Sequence, residues 1–267
     1  MSDPAPLDGQ VALVTGAANG IGQCIAADLA RRGAHVFGAD LSDSGETAGL
    51  IETAGGRYTG LTADVRDGAA MIAAAQDALT ATGSIDVLVS NAGVTGFGAV
   101  AEIDEADWRR VIDINLTGTF NTFRAVLPHM IEREAGRIVA ISSFAGRQTM
   151  PSAGSYQAAK MGVLALMKTA ALEAGSAGVT VNAVCPGPTA TGMTLNETAY
   201  RYMRPDLEAP TSDDVVDAFK QMTVLPVPWA EAEDIANAVA FLVSPEARYI
   251  SGAVLDVACG MSARIQI

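Results

Sequence analysis

Residues 11–22 read VALVTGAANGIG, an apolar β-branched run that breaks into a glycine-rich turn. Ile25, Ala26, Leu29 and Ala30 follow at helical spacing, so the stretch predicts a strand, a tight turn and a helix. In that context the glycines let backbone N–H groups approach a pyrophosphate, and Gly16, Asn19, Gly20, Ile21 and Gly22 become candidate cofactor ligands. The same alternation recurs outward along the chain. After helix Ile21 to Arg32 come HVFGAD (35–40), helix Ser42 to Ala54, YTGLTADV (58–65), helix Asp67 to Thr82 and IDVLVSNAG (85–93). A long helix Glu105 to Glu134 follows, then RIVAISS (137–143), helix Ser155 to Ala174, VTVNAVCPG (179–187), helix Glu231 to Val243 and VLDVAC (254–259).

Strands that read as continuous hydrophobic runs are covered on both faces, and helical crossovers make their neighbours parallel. The expectation is an α/β chain: one Rossmann-type, doubly wound domain over residues 1–267 with a seven-stranded parallel sheet. Residues 193–228, polar and Pro-containing, interrupt the alternation and read as a substrate lid within that domain.

Composition narrows the function classes. Of 267 residues 49% are hydrophobic and 18% charged, enough apolar matter for an ordinary core. Lys plus Arg number 17 against 30 Asp plus Glu, a net charge of −13, and such a field repels nucleic acid backbones and anionic membranes. The opening MSDPAPLDGQ has neither a basic region nor an apolar one, so no secretion signal is expected. No apolar run approaches the ~20 residues of a membrane span. Cys24, Cys185 and Cys259 each sit in an apolar run and read as buried thiols of a reducing, cytoplasmic compartment.

Four side chains and one carboxylate carry the chemistry. Asp40 ends the second strand, 18 residues past Gly22, where an acid reaches the adenosine ribose. Its charge repels a 2′-phosphate, and Ala17, Ala18 and Leu41 provide no Arg to receive one, so NAD is expected over NADP. The bland reading of Asp40 is a strand-end turn residue. Tyr156 and Lys160 stand four apart on one helix face, where an ammonium beside a phenol favours the phenolate. Ser143 ends the fifth strand, 13 residues before Tyr156, at the sheet edge where ligands bind. Asn115 falls on the stripe Trp108, Val111, Ile112, Leu116, Phe120, Phe123, Leu127. It reads either as a core amide bonded to backbone or as the site of an opened helix that holds a water.

Thr15-Gly16-x-x-x-Gly20-Ile21-Gly22, Asn91-Ala92-Gly93, Asn115, Ser143, Tyr156-x-x-x-Lys160 and Pro186-Gly187 together resemble the short-chain dehydrogenase/reductase family over nearly the whole chain. The resemblance implies that Tyr156 is the general acid-base and that Ser143 hydrogen-bonds the substrate oxygen. It implies that Lys160 grips the nicotinamide ribose and lowers the tyrosine pKa, and that Asn115 binds a relay water. It further implies adenine contacts at Asp64 and Val65, ribose contacts at Asn91, Ala92 and Gly93, and nicotinamide contacts from Pro186 and Gly187 through Thr189 to Thr191. Ser90, where Asn is common, and Thr189, where an aliphatic residue is usual, depart from the pattern.

Substrate choice is expected from the loops after Gly93 (Val94 to Phe97) and after Ser143 (Phe144 to Met150), and from Pro188 onward. Ser143, Phe144, Met150, Tyr156 and Met193 are the nearest candidates, with Leu195, Tyr200, Met203 and Trp229 behind them, and their apolar character points to a cyclic or aryl secondary alcohol or its ketone. For each of these lid side chains, simple packing is the competing reading. Residues 204–210 and 225–229 resemble the insert of carveol-type, mycofactocin-associated dehydrogenases, which hold their nicotinamide tightly. The turn at Asn19 to Gly22 is of the ordinary kind and keeps freely exchanging NAD open.

Two other functions compete. A 3-oxoacyl-thioester reductase would use the same four residues, but it usually prefers NADP and needs basic residues to greet a phosphopantetheine arm. A non-catalytic NAD-binding sensor would keep the glycine turn and Asp40 without needing Ser143, Tyr156 and Lys160 together. By family analogy the chain forms a homotetramer. No metal is expected, since His35 and His129 have no Cys or carboxylate at ligand spacing.

Overall fold

A computed structural model describes residues 6–264. The described residues hold seven strands in one parallel sheet, in the order β3-β2-β1-β4-β5-β6-β7. The strands are β1 (Val11–Thr15), β2 (His35–Asp40), β3 (Arg57–Thr62), β4 (Val87–Ser90), β5 (Gly136–Ile141), β6 (Val179–Pro186) and β7 (Val254–Val257). Every residue of β1, β4 and β6 is buried, as expected of strands covered on both faces. Edge strand β3 is largely exposed.

Two apolar layers enclose the sheet. One is built from α1 (Gly20–Arg31), α2 (Gly45–Thr53) and α9 (Ala232–Val243), through Ile25, Leu29, Ile51, Ile235, Val239 and Leu242. The other uses α3 (Gly68–Thr82), α5 (Gly118–Glu132) and α6 (Gly154–Ala174), through Met71, Phe123, Val126, Met130, Val163 and Met167. α4 (Glu105–Ile112) leads into α5. β1 has β2 on one side and β4 on the other, so the winding reverses there and a crevice opens at the strand carboxyl ends.

Several boundaries differ from the sequence reading, each for a local reason. α2 starts at Gly45 rather than Ser42, because the Asp43 carboxylate accepts from the Gly45 N–H at 3.0 Å and holds a turn. β3 ends at Thr62 and leaves Ala63 to Val65 as loop. The expected long helix is not continuous. Between α4 and α5 the residues Asp113–Thr117 form a π-helical turn, which carries one extra residue per turn and shifts the phase of the downstream face. The expected stripe is lost: Phe120 is exposed, and the buried face of α5 runs through Thr119, Thr122, Phe123, Val126 and Met130.

Residues 193–228 contain two helices, α7 (Glu197–Met203) and α8 (Ser212–Met222). The Asn196 side chain caps α7 by accepting from Ala199 N–H at 3.0 Å. Thr211 and Asp214 form a reciprocal capping box at the start of α8. Val215 and Phe219 are its buried side chains. The far end of α8 is tied down by Arg264, whose guanidinium donates to the carbonyls of Gln221, Met222 and Thr223. No described helix is long and apolar enough to cross a membrane.

Candidate active site

The crevice at the sheet's carboxyl edge is a cleft of about 470 Å³. One end is the glycine turn. Gly16 adopts φ +68° and Gly20 φ +55°, backbone that glycine reaches without strain. A Cβ on Gly22 would stand 1.9 Å from the Gly16 carbonyl oxygen, so the start of α1 presses directly on the turn. The N-cap residue Asn19 makes no side-chain cap bond, which leaves the first N–H groups of α1 to face the cleft as an anion site.

Asn91 holds the turn from the next strand. Its amide donates to the carbonyls of Thr15 and Gly16 at 3.0 and 3.1 Å, while the Thr15 hydroxyl accepts from the N–H groups of Asn91 and Ala92. Asp40 is fixed by two backbone donors, Ala18 N–H to Oδ2 and Ser42 N–H to Oδ1, both at 2.9 Å. A carboxylate held in this way is preorganised to accept from a diol and to reject a phosphate. Leu41 beside it is exposed. Asp64 is gripped by the Arg66 guanidinium, which holds its carboxyl below the usual carboxylate range. Val65 lines the cleft next to it.

The other end gathers Asn115, Ser143, Tyr156 and Lys160. α6 presents Tyr156 and Lys160 on one face, with the Lys160 nitrogen 5.7 Å from the Tyr156 ring centroid. Lys160 is buried and donates to the Ile141 carbonyl at 3.0 Å. Burial pushes its pKa down to about 8. Burial also dominates at Tyr156 and raises the phenol, with the neighbouring Ser143 hydroxyl pulling the other way. Desolvation is the largest effect on both groups, and it weakens the charged form of each. Ser143 itself caps the short turn after β5, accepting from Ala145 N–H at 3.1 Å.

Asn115 lies in the π turn and is fully buried. Its amide donates to the carbonyls of Val94 and Val111, both at 2.9 Å, and its Oδ1 accepts from Val94 N–H at 3.3 Å. The side chain therefore braces the loop after β4, and the opened helix leaves its main-chain carbonyl with the Thr119 hydroxyl as partner. A Cβ on Gly93 would lie 2.7 Å from Asn115 Oδ1 and 3.3 Å from Lys160 Nζ, so a side chain there would crowd both.

Pro186 ends β6 against the cleft, Gly187 follows it there, and Thr189 and Thr191 line the cleft beyond them. All the residues expected to hold the cofactor line this one cleft. The four expected at the chemistry do so as well. The donor set fits a dinucleotide: a helix N-terminus for pyrophosphate, a preorganised carboxylate for ribose, and a glycine turn with no room for side chains. Among the described residues Lys160 is the one cationic residue lining the cleft. Among the described residues no three His, Cys, Asp or Glu side chains gather.

The substrate end departs from the sequence reading. Met150 and Met193 line the cleft, but Phe144 does not: it is 3% exposed and packs with Ala258, Met261 and Met222. The turn after Ser143 points it inward, beneath the site. Beyond Met193 the cleft is lined by Met203 together with Thr194, Ala199, Tyr202, Phe219 and Met222, and not by Leu195, Tyr200 or Trp229. Trp229 packs edge-on against Phe219 at 5.7 Å. Tyr202 escaped the sequence reading, and the one available signal was the heptapeptide ETAYRYM (197–203), whose helical register decides which tyrosine faces in.

Residues 10–201 match the model of the short chain dehydrogenase family. The chain is similar to (-)-trans-carveol dehydrogenase of Rhodococcus erythropolis, 39% identical over 272 residues that cover 96% of this chain and 98% of that one. It is 38% identical over 257 residues to the 3-oxoacyl-acyl-carrier-protein reductase of Vibrio harveyi, covering 96% and 98%. Among solved structures it resembles carveol dehydrogenase from Mycobacterium avium in complex with NAD, with TM-score 0.95 and 38% identity over 97% of this chain and 100% of that one.

Proposed function

The chain belongs to the short-chain dehydrogenase family, and from that premise we propose that it moves a hydride between NAD(H) and a hydrophobic cyclic or aryl secondary alcohol or its ketone. The observation that carries this reading is the sharing of one cleft by Tyr156, with Lys160 5.7 Å from its ring, and by Asp40, held by two backbone donors. NAD, when bound, takes or returns the hydride. Asp40 would accept from the adenosine ribose hydroxyls, the first N–H groups of α1 would face the pyrophosphate, and Lys160 would hold the nicotinamide ribose. In the direction of oxidation Tyr156 removes the hydroxyl proton as the hydride departs, and Ser143 hydrogen-bonds the substrate oxygen. Lys160 and a water held at the main chain of Asn115 would pass the proton toward solvent.

Residues 193–228 act as the lid in this reading. Met150, Met193, Met203, Phe219 and Met222 give the substrate end an apolar, deformable lining that suits a ring. The relative from Vibrio harveyi favours a second reading, reduction of a 3-oxoacyl thioester. Against it stand Asp40, which repels NADP, and a cleft whose sole cation among the described residues is the buried Lys160. The free thiols support a reducing compartment. A homotetramer is the assembly that the family analogy favours, and sedimentation tests it.

The deciding experiment follows absorbance at the NADH band with a panel of cyclic and aryl secondary alcohols, offered with NAD and separately with NADP. Turnover with NAD alone, abolished in Tyr156→Phe while NADH still binds, supports the reading. Undiminished turnover in Tyr156→Phe removes the assigned base, and activity confined to NADP and 3-oxoacyl thioesters selects the second reading. Silence with every alcohol from protein that carries bound cofactor points to a tightly held nicotinamide and an external acceptor.

A further inference from the structure

Phe97, in the loop after β4, and Tyr202, in α7, lie 105 residues apart in the chain and stack with ring centroids 4.5 Å apart and planes inclined by 26°. Both rings line the cleft. The loop carrying Phe97 is held firmly. A Cβ on Gly96 would come 2.6 Å from Val111 and 2.8 Å from the Ser155 hydroxyl, so this backbone is pressed onto α4 and α6. Gly98 N–H donates to the Ser152 carbonyl at 2.9 Å and stitches the loop to the segment before α6.

α7 is held quite differently. Its own capping and ion pairs stay within the segment from Gly192 to Asp214. Among the described residues, one side-chain hydrogen bond reaches from α7 to the rest of the molecule: the Tyr202 hydroxyl donates to the Pro151 carbonyl at 3.0 Å. The arrangement sets Phe97, on a braced loop, against Tyr202, on a helix joined to the rest by one side-chain hydrogen bond, where the loops after β4 and β5 approach the lid.

We propose that Phe97 and Tyr202 are specificity-determining residues acting as one clasp: their stacked rings wall the substrate end of the cleft, and the Tyr202 hydroxyl fastens α7 over an apolar ring packed against them. The inference rests on the proposed hydride transfer for its substrate and deepens it by naming what selects that substrate. Stacked aromatic faces reward a flat or puckered hydrocarbon ring, and offer a short acyclic alcohol little contact. The fastening hydrogen bond adds closure without adding charge.

The test uses the full chain with NAD, 1-indanol and 2-butanol, in Phe97→Ala and Tyr202→Phe. In Phe97→Ala the ratio of kcat/KM for 1-indanol to that for 2-butanol falls about tenfold; an equal loss for both alcohols, or none, overturns the wall. In Tyr202→Phe, which keeps the stacked ring, amide hydrogen exchange across residues 197–203 quickens about fivefold; unchanged exchange overturns the fastening. If the wild-type protein oxidises neither alcohol, with NAD or with an external electron acceptor, the hydride-transfer reading falls and the wall falls with it, while unchanged exchange in Tyr202→Phe separately overturns the fastening.

Discussion

The Lys160 ammonium, buried beneath the cleft, donates to the carbonyl of Ile141 at 3.0 Å, at the very end of β5. Burial lowers this lysine from 10.5 to about 8. In the unfolded chain it stays protonated up to its ordinary value, so between those two pH values the unfolded state binds more protons and folding gains stability as pH rises. Below about 8 the penalty for the buried charge is fully present. Denaturant unfolding of the free protein is expected to show an increment on the order of 3 kcal/mol between the two limits that Lys160→Met lacks. Parallel curves for the two proteins would count against the depressed lysine.

Asp40 is expected to set cofactor choice. Replacing it with Ala removes a charge-assisted acceptor and frees Ala18 N–H and Ser42 N–H. kcat/KM with NAD falls about 10- to 100-fold, and the loss with NADP is smaller because a repulsion disappears with the carboxylate. Steady-state rates with each nucleotide measure the ratio.

Two glycines give opposite outcomes for one substitution. Gly22→Ala forces a methyl against the Gly16 carbonyl and, at 2.4 Å, against the Asn91 amide nitrogen, so NADH affinity by fluorescence titration drops at least about tenfold as the turn shifts. Gly49→Ala, inside α2 with nothing within 4 Å of the added methyl, raises unfolding free energy by about 0.5–1 kcal/mol.

Asn115→Leu separates bracing from catalysis. The leucine leaves the carbonyls of Val94 and Val111 and the Val94 N–H without their partner, a cost of about 2–4 kcal/mol in chemical unfolding. Stability close to wild type would show that the loop after β4 is held without this amide.

Much of this molecule could be read along the chain, because its determinants are local. VALVTG, HVFGAD and RIVAIS are strands wherever a sheet can bury them, and the glycine turn and the four-residue spacing of Tyr156 and Lys160 depend on neighbours in sequence. What escaped depends on distant contacts. Phe144 is apolar and adjacent to Ser143, yet which way a single turn of 3₁₀ helix directs it is settled by Ala258 and Met261, more than a hundred residues on. Tyr200 and Tyr202 are indistinguishable as letters, and only the docking of α7 on Phe97 chooses between them. The lid's two helices are short and polar, and α8 buries only Val215 and Phe219, too few apolar positions to set it apart from a loop when read as letters.

The π turn at Asp113–Thr117 takes up one residue more than an α-helical turn. One residue fewer between Ile112 and Gly118 would restore a continuous α-helix and leave the face of α5 where it is, because a π turn absorbs one extra residue with little net rotation. Val126 and Met130 would stay against the sheet and Phe120 outside it. The turn is thus a place where the chain can lose a residue without re-aiming its core, whereas the same loss inside α5 would turn every later side chain by about 100°.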